Sequence, residues 1–410
     1  HPLPGDFGRF LEQVPHLARD LKPHQQFMAQ ALTEVSDFAS AEDVTGQVRP
    51  QHRFKDGVIP EHLREMGVEL KAGFGRITDL LQRLVDQLKD AMDGEAVGVT
   101  SHQAEEWYPL FGALLARSQG NWTLWTLFCL EDPDDKPPTA RWLTLTEQND
   151  IEVHVSPIMA ADTLRQFLWY TAFGCLVTSA TLTALGRFDR FSMRAGLPKS
   201  AVCTLAPSPF QYAEKGVLRI PNLGADPRDG PGHSASIIEH LPSILADALG
   251  SLVLFSSRRQ MLEVYAGLNR EFRERVLVQG DLSKQELIRQ HRAQVDKKNP
   301  SVIFGLASFA EGVDLPGRYC EHVVIAKIPF AVPDDPVEAA LSEWIERNGG
   351  NPFMEIAVPD ASLRLIQACG RLLRNEQDSG VVTLLDRRLV TQRYGKAILN
   401  ALPPFRREID

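Results

Sequence analysis

The stretch Gln367-Ala368-Cys369-Gly370-Arg371-Leu372-Leu373-Arg374, with the apolar run Gly380-Val381-Val382-Thr383-Leu384-Leu385-Asp386 close behind it, decides how this chain is read. At helical spacing Gln367, Gly370, Arg371 and Arg374 fall at offsets of 0, 3, 4 and 7 and share one face, while Leu365, Cys369 and Leu372 turn into packing. Two guanidiniums one turn apart suit the equatorial oxygens of a phosphoryl group, where charge builds in the transition state and positioned cations do most of the work. Taken alone, the same residues also describe an amphipathic surface helix with two solvated arginines.

Three upstream segments favour the first reading. Cys175-Leu176-Val177-Thr178-Ser179-Ala180-Thr181-Leu182 has a buried-strand pattern that breaks into a hydroxyl-rich turn. Ser251-Leu252-Val253-Leu254-Phe255-Ser256-Ser257-Arg258 is a second apolar strand, ending in hydroxyls and opening onto a helix. Ser301 to Gly305 is a third, and it leads into Leu306-Ala307-Ser308-Phe309-Ala310-Glu311-Gly312-Val313-Asp314-Leu315-Pro316-Gly317. Each places its polar residues just past the carboxyl end of a strand, where open α/β sheets bind ligands.

In this order the segments resemble motifs III, IV, V and VI of superfamily-two helicases, spelled as in the XPD-like, iron-sulfur group, and most of all as in the bacterial DinG helicases. Ser208-Pro209-Phe210, Ile328-Pro329-Phe330 with Asp335-Pro336, and Asp386-Arg387-Arg388-Leu389 to Tyr394-Gly395-Lys396 extend the resemblance over residues 150 to 402. It implies an α/β fold: a RecA-like parallel-sheet motor domain with a mostly helical, arch-like insert. It also implies ATP-driven translocation on single-stranded DNA, 5′ to 3′, with unwinding of forked or duplex DNA in repair or replication.

Two expected elements are missing from the sequence. It contains no G-x-x-x-x-G-K-[ST] loop to cradle the β- and γ-phosphates and no D-E-x-H box to hold magnesium. His1-Pro2-Leu3-Pro4-Gly5-Asp6 resembles the end of such a box, so the expectation is a C-terminal piece of a longer helicase, inactive by itself. ATP and Mg²⁺ are then bound mainly by residues outside the chain. The 4Fe-4S cluster implied by the family is likewise expected on ligands outside it.

Composition describes a globular chain. Its 410 residues, 43% hydrophobic and 24% charged, suffice for two or three packed cores. No apolar run approaches the roughly 20 residues that span a bilayer, which leads to the expectation of a cytoplasmic protein with no membrane partner; a monomer is expected as well. Cys129, Cys175, Cys203, Cys320 and Cys369 are scattered, with no C-x-x-C pair, and read mostly as core thiols; no metal site is expected. A net charge of −9 argues against a protein that coats nucleic acid, though not against a motor gripping a few nucleotides in a local groove. The basic run from Arg258 to Lys298 is interleaved with Glu263, Glu271, Glu274 and Glu286 and reads mostly as a solvated face; Arg258, directly after a strand end, is the exception.

Before residue 145 the texture is helical. Ile77, Leu80, Leu81, Leu84, Val85, Leu88 and Met92 form one apolar stripe, and Trp107, Leu110, Phe111, Leu114 and Leu115 form another. Asn121 to Glu131 alternates like a strand, and Asp132 to Pro138 reads as a surface loop. A strand at Ile151 to Val155 is expected to begin the return to the first motor domain, and Asp226 to Gly232 reads as a disordered loop. The expected division is an insert over 1–148, the end of the first motor domain over 149–195, and the second motor domain over 196–410.

The resemblance assigns roles by position. Arg374 is the arginine finger, with Arg371 beside it and Gln367 anchoring the helix that also carries Gly370. Glu311, Gly312 and Asp314 form a coupling loop, or else a structural turn before Pro316. Ser179 and Thr181 report the nucleotide state, while Thr178, Ser256, Arg258 and Gln279 contact the DNA strand without sequence preference. A DinG-like nuclease and a non-catalytic nucleic-acid-binding module on a degenerate motor are the alternatives.

Overall fold

The computed structural model describes residues 6–42, 48–94, 99–179, 181–306, 309, 312–330 and 335–410. They form two compact units. One runs to Ile158 and takes in the helix Pro336–Arg347 as far as Trp344; the other holds Met159 to Phe330 and Ile345 to Asp410.

In the first unit the helices Asp6–Val35, Glu61–Met92 and Ser101–Phe128 pack beside a four-stranded antiparallel sheet of β1 (Ala39–Glu42), β2 (Val48–Arg53), β3 (Thr139–Leu145) and β4 (Ile151–Pro157), in that order. The stripe from Ile77 to Leu88 is buried as its period requires. Thr100 starts the third helix with a reciprocal capping box to Gln103. That helix runs on to Phe128, so the alternation from Asn121 does not mark a strand: Trp125 and Phe128 enter the core at helical spacing. Leu110 and Leu114 stay exposed, leaving the second stripe only half used. β4 pairs along its whole length with β3 and is therefore the last strand of this sheet rather than the first of the motor. Arg141, 2% exposed, ties the loop before β3 to the helices by donating to Asp132 and to the carbonyls of Gly57, Leu127 and Leu130. Arg53 holds Glu343 through both terminal nitrogens, at 2.8 and 2.6 Å.

The second unit is built on a seven-stranded parallel sheet of β5 (Gly216–Ile220), β6 (Gly250–Phe255), β7 (Val276–Val278), β8 (Ser301–Leu306), β9 (His322–Ile325), β10 (Gly380–Leu384) and β11 (Arg406–Ile409). Its order is β11-β5-β10-β9-β6-β8-β7, which is the RecA-like arrangement expected. β6 and β9 are buried along their whole length, as strands covered on both faces must be. The two faces carry separate cores, one around Leu254, Ile325 and Leu365, the other around Val253, Phe304 and Met261. Asp229 caps the helix Gly230–Ile244, so the stretch from Asp226 is an ordered helix start rather than a disordered loop.

Two sequence expectations fail here, the first for a plain physical reason. Cys175 to Thr178 is irregular rather than a buried strand, with Leu176 90% exposed, and Cys175 and Cys203 are exposed thiols. A parallel strand exists only through neighbours, and none of the described strands lies beside this one.

His322, at the start of β9, is buried and hydrogen-bonded through Nε2 to Thr383 on β10 at 2.8 Å; burial pushes its pKa down to about 4. Its folded pKa lies below the unfolded value of roughly 6.5, so the unfolded chain takes up a proton first and stability falls as pH drops from about 6.5 to about 4. The expected loss from this group between pH 7 and pH 5 is about 2 kcal/mol. Urea titrations at the two pH values check it: His322→Gln should remove that part of the slope, and an unchanged slope refutes the assignment.

Candidate nucleotide-coupling site

The carboxyl ends of the parallel strands gather the predicted polar residues. The helix Val358–Cys369 ends one residue before Gly370, and Arg371 and Leu372 continue as a tighter turn, their amides bonding to Ala368 and Cys369 at 3.1 Å. The expected single helix carrying all four residues therefore stops short, and the arginines sit on its unwound end. Three-residue spacing in such a turn keeps Arg371 and Arg374 on one side. Cys369 and Leu372 are buried, as the pattern requires.

Both arginines reach the loop after β8. Arg371 Nη1 donates to the Val313 carbonyl at 3.2 Å and Arg374 Nη2 to the same oxygen at 2.7 Å. Asp314 Oδ1 lies 3.7 Å from Arg374 Nε, an ion pair beyond hydrogen-bonding distance, with Asp314 72% exposed. Arg374 Nε is buried and makes no hydrogen bond among the described residues. A guanidinium carries five N–H donors, so Arg374 keeps capacity for an incoming oxyanion while holding the loop. Its backbone is fixed separately, because the Asp378 carboxylate accepts from the amides of Arg374 and Asn375 at 2.8 and 2.9 Å.

Gly312 has φ +71°, a left-handed conformation that glycine adopts without strain, and so turns the chain into Val313 and Asp314. Arg292 donates to the Asp314 carbonyl at 2.8 Å. Sequence reasoning missed this residue by counting it in a solvated basic run. Glu311 lies outside the described residues, as do Ala180 and residues 1–5.

The motif III turn joins the same network. Ser179 Oγ accepts from the Thr181 amide at 3.3 Å, and Gln367 Nε2 donates to Thr181 Oγ1 at 3.4 Å. Thr178 is exposed beside it. Thus Thr181, Gln367, Arg371, Arg374, Val313 and Asp314 form one linked set.

Ser256, Arg258 and Gln279 gather separately, past β6 and β7. Ser257 caps the helix that begins at Arg258 by accepting from the Gln260 amide. Ser256 and Arg258 are exposed, and Arg258 lies over Gly280, where an added methyl would come within 3.3 Å of its guanidinium. Gln279 Oε1 accepts from the Leu306 amide at 2.8 Å, which makes Gln279 a brace for the β8 end before anything else.

The cysteines do not fit an iron-sulfur cluster. Burial pushes the thiols of Cys320 and Cys369 up to about 12, and no group of three His, Cys, Asp or Glu side chains suited to a metal occurs among the described residues.

Residues 243–405 match the helicase C-terminal domain family. The chain is 38% identical over 374 residues to the ATP-dependent DNA helicase DinG of Photobacterium profundum, covering 88% of this chain and 52% of that protein. To the DinG of Escherichia coli (strain K12) it is 32% identical over 406 residues, covering 96% of this chain and 55% of the relative. The chain thus spans about half the length of these relatives. Among solved structures it is similar to S. tokodaii Xpd4, with a TM-score of 0.52 at 13% identity over 98% of this chain and 70% of that one. An XPD apo structure gives a TM-score of 0.50 at 15% identity, over 88% of this chain and 73% of that one. These two likenesses speak for the fold alone. With a helicase C-terminal domain matched over residues 243–405 and relatives at 38% and 32% identity, the chain is similar to about half of a DinG helicase, on a parallel-sheet α/β fold like that of the XPD structures.

Proposed function

We propose that this chain is the C-terminal part of an ATP-dependent DNA helicase that couples ATP hydrolysis to 5′-to-3′ movement on single-stranded DNA and to unwinding of forked or duplex DNA in repair or replication. One observation carries the reading: Arg371 and Arg374 converge on the Val313 carbonyl while Gln367, on the same helix, meets Thr181. A change at the nucleotide therefore has a bonded route into both the loop after β8 and the motif III turn.

In this reading ATP and Mg²⁺ are held mainly by residues outside the chain. As the β–γ bond breaks, charge grows on the transferring phosphoryl oxygens; Arg374 stabilises it, with Arg371 keeping the loop in register. Asp314 loses its loose partner when Arg374 turns to phosphate, and the loop that Gly312 bends is released. Ser256 and Arg258 hold the DNA backbone from the ends of the sheet, with Thr178 on the motif III side. Residues 1–148, together with the strand β4 that completes their sheet, act as an arch-like insert that guides the DNA strand; the rest of 149–195 finishes the first motor domain and 196–410 form the second. The protein works as a cytoplasmic monomer, and any 4Fe-4S cluster is bound by residues beyond these five cysteines.

The test uses the full-length protein. ATP hydrolysis is measured with and without single-stranded DNA, and unwinding is followed on a forked duplex. Hydrolysis that is absent from a well-folded protein refutes the motor and favours the binding module. Ser256→Ala with Arg258→Ala should weaken strand binding and lower its salt slope by about one contact's worth; an unchanged slope removes these two from the DNA path.

A further inference from the structure

Arg190 and Asp360 form a buried ion pair that the nucleotide site does not use. Arg190 lies in the short helix Asp189–Ala195, just after the motif III turn, and Asp360 in the first turn of the helix Val358–Cys369. Arg190 Nε and Nη2 each donate to a different oxygen of the Asp360 carboxylate, and Arg194 Nη2 stands 3.8 Å from it. The Arg190 side chain is 8% exposed and that of Asp360 17%.

Placement gives the pair its meaning. Asp360 and Gln367 are seven residues apart, two turns along one face, so about 10 Å of the motif VI helix separates them. Gln367 meets Thr181. One face of the helix is therefore held at two points by a single short segment, residues 181–194, and the turn that carries Arg371 follows directly on the helix end. Two-toothed Arg–carboxylate contact fixes direction as well as distance, which a single ammonium would not. A buried ion pair is weak evidence for stability, and fixing register is its best-attested use.

We propose that Arg190–Asp360 is a positioning pair: it sets the axial place and rotation of the motif VI helix so that Arg371 and Arg374 arrive where the transferring phosphoryl group needs them. This rests on the helicase reading. Neither residue is assigned a contact with the nucleotide; both act through the motif VI arginines, Arg374 above all. A displacement of about 1 Å at such a group costs on the order of 10²-fold in rate.

The experiment uses the full-length protein with Arg190→Gln, Asp360→Asn and the double variant. Each should lower kcat for DNA-stimulated hydrolysis between about 10- and 10²-fold, with KM for ATP and affinity for single-stranded DNA kept within about threefold. The double variant should be no worse than the poorer single, and in an Arg374→Ala background Arg190→Gln should lower kcat no further. A full additional loss in that background, or a rise in KM at constant kcat, overturns the proposal. Hydrogen exchange gives a readout independent of catalysis: amides of the helix Val358–Cys369 should exchange faster in Arg190→Gln, and unchanged protection also overturns it. If the wild-type protein hydrolyses no ATP, the helicase reading falls while the exchange result still decides the pair. Asp360→Asn keeps the side chain's shape and carries the test should Arg190→Gln fail to fold.

Discussion

Arg374→Ala in the full-length protein is expected to lower DNA-stimulated ATP hydrolysis by at least about 10³-fold, the loss that accompanies removal of an arginine finger. The structure makes the variant clean. Arg374 is held by its backbone amide to Asp378, a bond that alanine keeps, so residues 374–378 should stay in place while the guanidinium disappears. What goes is the bond from Nη2 to Val313 and the loose pairing with Asp314. Arg374→Lys should recover little, because an ammonium cannot hold the loop carbonyl and an oxyanion in the same fork. Steady-state hydrolysis at saturating DNA reads the effect. A variant retaining more than a tenth of the wild-type rate would remove Arg374 from the chemistry and leave Arg371 as the candidate.

Asp386→Asn should cost about 3–5 kcal/mol of stability, the usual result of breaking a buried ion pair from one side. Asp386 is fully buried at the end of β10, where it accepts from the Ile328 amide at 2.9 Å and from Arg388 through its amide, Nε and Nη2, the last at 2.6 Å. Arg388 is itself mostly buried, with its guanidinium 5.6 Å from the centre of the Phe330 ring. Neutralising the carboxylate strands that cation away from water. The double variant Asp386→Asn with Arg388→Met should recover most of the loss, since no lone charge remains. Urea unfolding monitored by circular dichroism measures both. A single-variant loss below about 1 kcal/mol would show that Arg388 finds water, and that the pair is less enclosed than its burial indicates.

The parallel sheet of the second unit was largely legible because its central strands are short, continuous apolar runs between turn residues. Ser251 to Phe255 and Val302 to Gly305 admit few other readings. β11 was not legible: Arg406-Arg407-Glu408-Ile409 is an exposed edge strand whose partner, β5, lies nearly 190 residues away, and no periodicity announces it. Asn121 to Glu131 misled because Trp122, Leu124, Trp125 and Leu127 surround a helix with apolar residues on several sides, and alternation then appears by accident. In the site, Gln367, Arg371 and Arg374 could be chosen from residue type and spacing. Arg292 and the pair Arg190–Asp360 could not, since they matter through partners 22 and 170 residues distant. Local chemistry leaves a mark on the sequence; contact between remote segments leaves none.

The exposed apolar segment after residue 165 has a practical side. Phe173, Leu176, Val202 and Leu205 are 111%, 90%, 90% and 63% exposed, in backbone that belongs to no strand. A net charge of −9 spread over 410 residues would ordinarily keep such a chain dispersed in solution. Exposed apolar side chains favour association once two molecules touch, and salt shortens the range over which the net charge keeps them apart. Purification of these 410 residues is thus a contest between concentration and clumping, and low ionic strength is the side to take.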